Sequence, residues 1–104
     1  MARYEVFQNP DALERSHTPF FLDVQNDFIN ALDSRVVVPL RRQDAFGPRA
    51  STLNPLLNIL GEELVLDTAA LGAVPTAVLR RPAARLDMGR DGVRDALDTL
   101  FGAY

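Results

Sequence analysis

The sequence changes its hydrophobic period once, near residue 90, and this change constrains the fold more than any other feature. Upstream, short apolar or alternating segments are separated by turn-forming residues, a pattern typical of β-sheets. Downstream, apolar residues recur at i, i+3, i+4, i+7 and i+8, which predicts an amphipathic helix. We expect Asp87 or Asp91 to cap this helix, and Asp91 is favoured because Gly89 and Gly92 weaken a helix. The apolar stripe consists of Val93, Ala96, Leu97, Leu100 and Phe101.

Six upstream segments have the composition of β-strands. Pro39 lies in one of them, and because proline has no amide donor it predicts an edge strand, a bulge or a strand end. Residues 9–18 are predicted to form an exposed polar loop, 41–55 an irregular surface segment and 68–72 a single helical turn. A tight turn at 61–63 predicts a hairpin. The predicted strands are residues 3–8, 20–24, 35–40, 56–60, 64–66 and 74–79, the last closed by Arg80, Arg81 and Pro82.

The length of 104 residues is that of one domain, which we expect to span residues 1–104. Short strands followed by one helix predict an α+β fold, in which the helix stripe covers part of a mainly antiparallel sheet. The net charge of −3 is evenly distributed, with no basic arm. The sequence has no apolar stretch typical of a signal peptide or a membrane span. We therefore expect a soluble, cytoplasmic protein.

The missing residue types exclude several chemistries. Without cysteine there is no disulfide framework, thiolate nucleophile or cysteine-ligated zinc. Lysine is also absent, which excludes Schiff-base catalysis and the phosphate-binding lysine of a P-loop. His17, beside Ser16, is the only candidate general base, and an exposed loop histidine is favoured over a catalytic one.

Carboxylate and arginine pairs are the remaining candidates for a chemical site. Asp23 with Asp27, and Glu62 with Glu63, match no known metal-site spacing, and the first pair needs a sharp turn to converge. The arginine pairs at 41–42 and 80–81 could bind phosphate. Solubilising charges that flank strands are the favoured interpretation of both pairs.

Four apolar or aromatic residues stand out as possible anchors for a protein partner. Phe28 and Ile29 follow a predicted strand within a polar sequence, and core packing is the favoured interpretation for Phe28. Phe101 and Tyr104 lie at the end of the chain, where residues usually fray. Core and anchor roles are equally favoured for Tyr104.

The order of the segments resembles that of the CcdB toxins. Residues 21–30 and 35–40 resemble the family's D-V-Q-S-D and V-I-P-L segments. Residues 53–59 resemble an L-x-P-x-x-x-I strand, and 73–79 an A-S-V-P-V-S-V-I stretch. Phe101 agrees with a phenylalanine near the end of the family's terminal helix. The resemblance covers nearly the whole chain with few gaps.

This resemblance implies a cytoplasmic toxin of a bacterial type II toxin–antitoxin module. Family members are homodimers that share a small-barrel fold with MazF and Kid toxins. They are not enzymes and need no cofactor or metal. They bind the A subunit of DNA gyrase and trap its cleaved-DNA complex. An antitoxin similar to CcdA neutralises them through a partly disordered tail, and they contact DNA only through that antitoxin.

By resemblance, the gyrase-binding residues are the apolar pair after the strand and the end of the helix. Ile29 and Phe101 match the family at these positions, whereas Phe28 stands where isoleucine is usual. The chain departs from the family at Asp98, which replaces asparagine. A second departure is the ending, because the family's Trp-Gly-Ile is here Gly102, Ala103 and Tyr104.

Three functional hypotheses follow from the residues and the resemblance. The first is a gyrase-binding toxin, and the second is a toxin of the same fold with another target, such as RNA cleaved with the help of the arginine pairs. The third is a degenerate member that binds its antitoxin but not gyrase, for which the altered ending provides the reason.

Overall fold

The computed structural model describes residues 1–29 and 32–102. Within these residues, two short 3₁₀ turns, Thr68–Ala70 and Thr76–Val78, connect the later strands. The helices are the one-turn α1 (Gln43–Phe46) and the terminal α2 (Arg90–Phe101). The strands are β1 (Glu5–Gln8), β2 (Phe20–Asp23), β3 (Ser34–Arg42), β4 (Leu56–Ile59), β5 (Glu62–Leu66), β6 (Gly72–Pro75) and β7 (Ala84–Arg85).

The strands form one curled antiparallel sheet in the order β4-β5-β3-β2-β1-β7. β6 pairs with the first half of β3, next to the part that pairs with β5. α2 packs against the concave core of this half-barrel through the buried Val93 and Ala96. The predicted α+β fold, an antiparallel sheet with a carboxyl-terminal helix, is confirmed. None of the described helices has the length and apolar character needed to cross a membrane.

Side chains along the central strands alternate between the two faces of the sheet, and each face has its own cluster of buried apolar residues. Val6, Leu22, Val38 and Leu40 point to the face that carries α2 and are fully buried there. Phe7 and Val37 point to the opposite face and form a smaller cluster with Leu79, Phe21 and Val74. The predicted apolar face of Phe20, Leu22 and Val24 belongs to the larger core.

Pro39 lies inside β3, so the prediction of an edge, bulge or strand end is wrong. Phe21 pairs with it on one side, while on the other side β6 pairs only up to Val37 and β5 pairs from Leu40 onwards. The Pro39 carbonyl accepts a hydrogen bond from Asp67 N (3.0 Å) on that second side. Since the N–H and C=O of a strand residue point the same way, the missing donor faces the gap between β5 and β6.

The predicted hairpin is confirmed, but its turn lies one residue earlier than expected. Ile59 pairs with Glu62, so the two-residue loop consists of Leu60 and Gly61. Both have positive φ angles, 53° and 87°, as a type I′ turn requires. Glu62 and Glu63, predicted within the turn, instead begin β5.

Several predicted strand boundaries differ from those of the structure. β3 continues through Arg42 because β5 pairs with it, so the segment 41–55 is irregular only in part. The predicted strand 74–79 ends at Pro75, which pairs with Ser34, the first residue of β3. Residues 80–82 do not close a strand, and the short β7 that follows was not predicted. Tyr4 is left-handed (φ 73°), so β1 begins at Glu5 rather than at residue 3.

The terminal helix is confirmed at residues 90–101, but its predicted aspartate cap is not. Gly89 occupies the N-cap position with a φ of 93°, and its carbonyl accepts a hydrogen bond from Val93 N (3.2 Å). Asp91 lies in the first turn of α2, where its negative charge interacts favourably with the helix dipole. A left-handed backbone at this position suits glycine better than aspartate.

Candidate protein-binding surface

The turn after β2 is held by a compact set of hydrogen bonds. Asn26 Oδ1 accepts from Phe28 N (2.9 Å), and Asn26 O accepts from Ile29 N (3.0 Å). The Gln25 amide then joins the turn to the sheet, since Nε2 donates to Ile29 O (2.7 Å) and Oε1 accepts from Val36 N (3.0 Å). The backbone of residues 25–29 is therefore fixed at both ends.

A buried ion pair lies beneath this turn. Arg35 Nε is 2.7 Å from Asp23 Oδ2, and both residues are almost completely buried. The hydrogen bond to Asp23 raises the pKa of Arg35 despite the opposing effect of burial, and the charges of Asp23, Asp27 and Glu5 add to the increase. Asp23 Oδ1 also accepts a hydrogen bond from Gln25 N (2.9 Å), which connects the ion pair to the turn.

The turn presents apolar side chains to solvent. Phe28 is 97% exposed and Ile29 is 48% exposed, so the interpretation of Phe28 as a core residue is wrong. Leu32 on the far side of the turn is exposed as well. An almost fully exposed phenylalanine on a fixed backbone is unusual for a residue without a partner.

The end of α2 presents a second apolar residue. Val93 and Ala96 are buried and Leu97 is partly buried, whereas Phe101 is 69% exposed. The apolar stripe of α2 is therefore buried in the first part of the helix and exposed at its end. Asp98 is exposed, and its carbonyl accepts a hydrogen bond from Gly102 N at the left-handed C-cap. Ala103 and Tyr104 lie outside the described residues.

The described target-binding residues form two groups, each on a different element of the fold. Phe28 and Ile29 belong to the turn after β2, and Asp98, Phe101 and Gly102 to the end of α2. Among the described residues, no hydrogen bond or ion pair joins the two groups.

The loop histidine lacks the neighbours that nucleophilic catalysis requires. His17 Nδ1 lies 2.7 Å from Thr18 Oγ1, which also accepts a hydrogen bond from Arg41 Nη1 (3.1 Å). Within the described residues His17 has no carboxylate partner, and Ser16 does not hydrogen-bond to it. This arrangement disfavours a catalytic role for His17, which is half-buried rather than exposed as predicted.

The carboxylate pairs are also engaged in structural contacts. Asp23 and Asp27 converge across the turn after β2, as the sequence required, but they do so on Arg35, from which Asp27 lies 3.8 Å away. Glu62 pairs with Arg42 at 2.5 Å. In the described part of the chain, no three acidic or histidine residues are placed to hold a metal ion.

The two arginine pairs have different surroundings. Arg41 is 2.7 Å from Asp67 and Arg42 is 2.5 Å from Glu62, so both are neutralised by the sheet's own carboxylates. Arg80 and Arg81 are exposed and have no ion-pair partner among the described residues.

Sequence reasoning missed the roles of Gln25 and Arg35 in supporting the turn. A signal was available, because Asp23 is a charged residue inside an otherwise apolar strand. A buried carboxylate needs a cationic partner. The next strand begins beside Arg35, the first basic residue after Asp23.

A comparison with protein-family models matches residues 3–102 to the family described as CcdB protein. The chain belongs to the CcdB family. The match includes every helix and strand described above, and therefore both groups of exposed apolar residues. The resemblance noted in the sequence is thus confirmed at the level of the family. Within this CcdB-family chain, the turn after β2 and the end of α2 correspond to the two segments expected to contact the target.

Proposed function

We propose that this CcdB-family protein is the toxin of a type II toxin–antitoxin module, which binds the A subunit of DNA gyrase and traps the complex of gyrase with cleaved DNA. The proposal rests on one observation above others: Phe28, Ile29 and Phe101, at the family's contact positions, are exposed on hydrogen-bonded backbone. The proposed site comprises these three residues together with Asp98, Gly102, Ala103 and Tyr104.

The exposed aromatic residues favour binding to a protein. Burying a phenylalanine side chain stabilises a complex by about 1.5–3 kcal/mol. Phe28 is 97% exposed before binding, so nearly all of this contribution is available to a partner. The hydrogen bonds of Asn26 and Gln25 hold the turn, which reduces the conformational entropy lost on association.

The chemistry of the chain supports inhibition by binding rather than by catalysis. His17 contacts Thr18, and Arg41 and Arg42 are paired with carboxylates. A protein that acts by occupying a surface of gyrase needs no general base, metal or cofactor. We further propose that the protein is a cytoplasmic homodimer, which a CcdA-like antitoxin neutralises through a disordered tail and links to DNA for autoregulation.

Binding to the purified A subunit of gyrase from the natural host tests the proposal. We expect the wild-type protein to bind and to convert supercoiled plasmid to linear DNA in the presence of gyrase. The substitutions Phe28→Ala and Phe101→Ala should each weaken binding by about thirtyfold, since truncating an aromatic anchor costs about 2 kcal/mol or more. Deletion of residues 102–104 tests the altered ending.

Leu13→Ala is the matched control, because Leu13 is 89% exposed but lies in the loop after β1. Its binding should equal that of the wild type. Failure of the wild-type protein to bind gyrase would contradict the proposal. Sequence-specific cleavage of RNA by the pure protein would then support the second hypothesis. Harmless expression in the host together with binding of the antitoxin would support the third.

A further inference from the structure

Tyr4 has a backbone conformation that its side chain disfavours. Its φ is 73°, in the left-handed region where a bulky residue other than glycine is an outlier. The residue is nevertheless only 9% exposed and belongs to the large core. Backbone strain of this kind persists only where the surrounding contacts fix the residue, and it concentrates at functional sites. The contacts of Tyr4 therefore indicate what its strained conformation maintains.

The main chain of Tyr4 joins the end of β2 to the segment that leads into α2. Its N–H donates to the carbonyl of Asp23 (2.7 Å), the last residue of β2, which is followed by the turn that carries Phe28. Its carbonyl accepts from Leu86 N (2.8 Å). The Leu86 carbonyl in turn accepts from Arg90 Nε (2.6 Å), in the first residue of α2. The donor of Tyr4 is therefore bound on the side of the turn, and its acceptor on the side of the helix.

The ring of Tyr4 makes the same connection. The guanidinium carbon of Arg3 lies 5.0 Å from the ring centroid and that of Arg90 lies 4.7 Å from it, both within the range of cation–π interactions. Arg3 N donates to Asp27 Oδ1 (2.7 Å) in the turn, whereas Arg90 belongs to α2. Arg3 Nε is buried without a hydrogen-bond partner among the described residues, so the ring contact helps to orient this guanidinium.

We infer that Tyr4 is a positioning residue of the proposed gyrase-binding surface. It holds α2 at a fixed angle to the turn after β2, so that Phe28 and Phe101 keep the spacing at which one partner surface contacts both. Tyr4 acts through these residues, because its own side chain is almost completely buried. A surface that is fixed before binding loses less conformational entropy on association. The inference rests on the proposed function, in which the two groups form one binding site.

The core contacts of α2 provide less directional control than the contacts with Tyr4. Val93 and Ala96 are the buried residues of the helix, and burial of small apolar side chains is non-directional. The hydrogen bond from Arg90 to Leu86 and the stacking of Arg90 on the ring both have preferred geometries. They attach the start of α2 to Tyr4, while the apolar stripe attaches its middle. Two points of attachment along a helix fix its direction.

Binding of variants to the A subunit of the host's gyrase tests the inference. Tyr4→Leu removes the ring but keeps an apolar core side chain, and we expect it to weaken binding by about tenfold. Tyr4→Phe keeps the ring between its two arginines and should restore wild-type binding. Arg90→Met removes one of the two arginine contacts and should weaken binding by about threefold.

Two controls separate positioning from stability and from charge. Leu64→Val perturbs the same core, but Leu64 lies in β5, outside the turn and the helix. Arg85→Met removes the same charge as Arg90→Met from an exposed arginine of β7. Both controls should bind gyrase as the wild type does, when measured well below the temperature at which each variant unfolds.

The orientation of α2 is a readout that a purely stabilising role of Tyr4 would not change. Residual dipolar couplings of backbone amides measure the angle between α2 and the strands β2 and β3 in the folded protein. Tyr4→Leu should change the couplings of residues 91–101 relative to those of the sheet. Tyr4→Phe and Leu64→Val should leave them unchanged. This measurement requires no gyrase.

Wild-type binding by Tyr4→Leu, or an equal loss with Leu64→Val, would overturn the inference. An unchanged orientation of α2 in Tyr4→Leu would overturn it as well. If Tyr4→Leu does not fold, Arg90→Met takes its place in both measurements, and results equal to those of Arg85→Met would overturn the inference. Failure of the wild-type protein to bind gyrase would instead contradict the proposed function, and the couplings would still decide whether Tyr4 fixes the angle of α2.

Discussion

Asp23 and Arg35 form a two-pronged ion pair inside the protein. Arg35 Nε lies 2.7 Å from Asp23 Oδ2, and Arg35 Nη2 lies 2.9 Å from Asp23 Oδ1. The pair joins β2 to the beginning of β3 directly beneath the turn that exposes Phe28. The same carboxylate accepts a hydrogen bond from Gln25 N, so the ion pair and the proposed binding surface belong to one network.

Removing one partner of this ion pair should destabilise the protein far more than removing both. Arg35→Met leaves the Asp23 carboxylate buried without its cation, and we expect a loss of about 3–5 kcal/mol in the free energy of unfolding. The double variant Asp23→Leu/Arg35→Met should recover at least half of this loss. Urea denaturation measures both. Arg94→Met, which removes an exposed pair with Asp91, is the control and should cost less than about 1 kcal/mol. A double variant as unstable as Arg35→Met would contradict this prediction.

The stability that Arg35 provides should not change across moderately alkaline pH. Its pKa is higher in the folded than in the unfolded state, because Asp23 hydrogen-bonds to the charged form. A raised pKa stabilises the fold at every pH below the unfolded value, and the effect is lost only as pH rises through the folded value. The difference in unfolding free energy between the wild type and the double variant should be equal at about pH 8 and about pH 10. A steady increase over this interval would mean that the shift has the opposite sign, because a lowered folded-state pKa makes the protein more stable as pH rises.

Substituting two glycines with alanine distinguishes the free-energy cost of a left-handed backbone from the cost of a steric clash. Gly89 has a φ of 93°, and a Cβ there would lie 2.9 Å from Leu57 Cδ2 in the core. Gly102 also has a left-handed backbone (φ 70°), but a Cβ there would face open space. We expect Gly102→Ala to cost about 1 kcal/mol and Gly89→Ala about 2–3 kcal/mol, measured by thermal or urea unfolding. Equal losses would show that Leu57 adjusts without cost.

Leu60 offers a stabilising substitution. It adopts a φ of 53° in the β4–β5 turn, where a branched apolar residue is disfavoured, and it is 67% exposed. Leu60→Asn should raise the free energy of unfolding by about 0.5–1 kcal/mol, because asparagine tolerates the left-handed region. Leu13→Asn is the control, since Leu13 is exposed without a positive φ. A gain of the same size at Leu13 would attribute the effect to lower surface hydrophobicity instead.

The elements whose formation depends on local sequence were predicted closely. The apolar stripe of Val93, Ala96 and Leu97 predicted a helix that the structure places at Arg90–Phe101. The hairpin of β4 and β5 was predicted from its apolar runs and the glycine between them. The order of motifs also predicted the family, which the match over residues 3–102 confirms.

The ends of the strands and the exposure of the binding residues could not be read in this way. β3 extends to Arg42, and β6 ends at Pro75, because partner strands distant in the sequence are present or absent there. Phenylalanine is usually found in the core, and only the path of the turn after β2 places the Phe28 side chain in solvent. Asp23 and Arg35 meet because β2 and β3 are adjacent.

The sequence by itself determined the periodicity of each segment, the chemistries that a chain without cysteine or lysine cannot perform, and the family. Tertiary structure decided which charges are neutralised and which remain available. Arg41 and Arg42 have carboxylates opposite them, whereas Arg15, Arg80 and Arg81 meet around a groove. The physical reason is that charge pairing and burial depend on distances between residues remote in sequence, while hydrophobic period depends on neighbours along the chain.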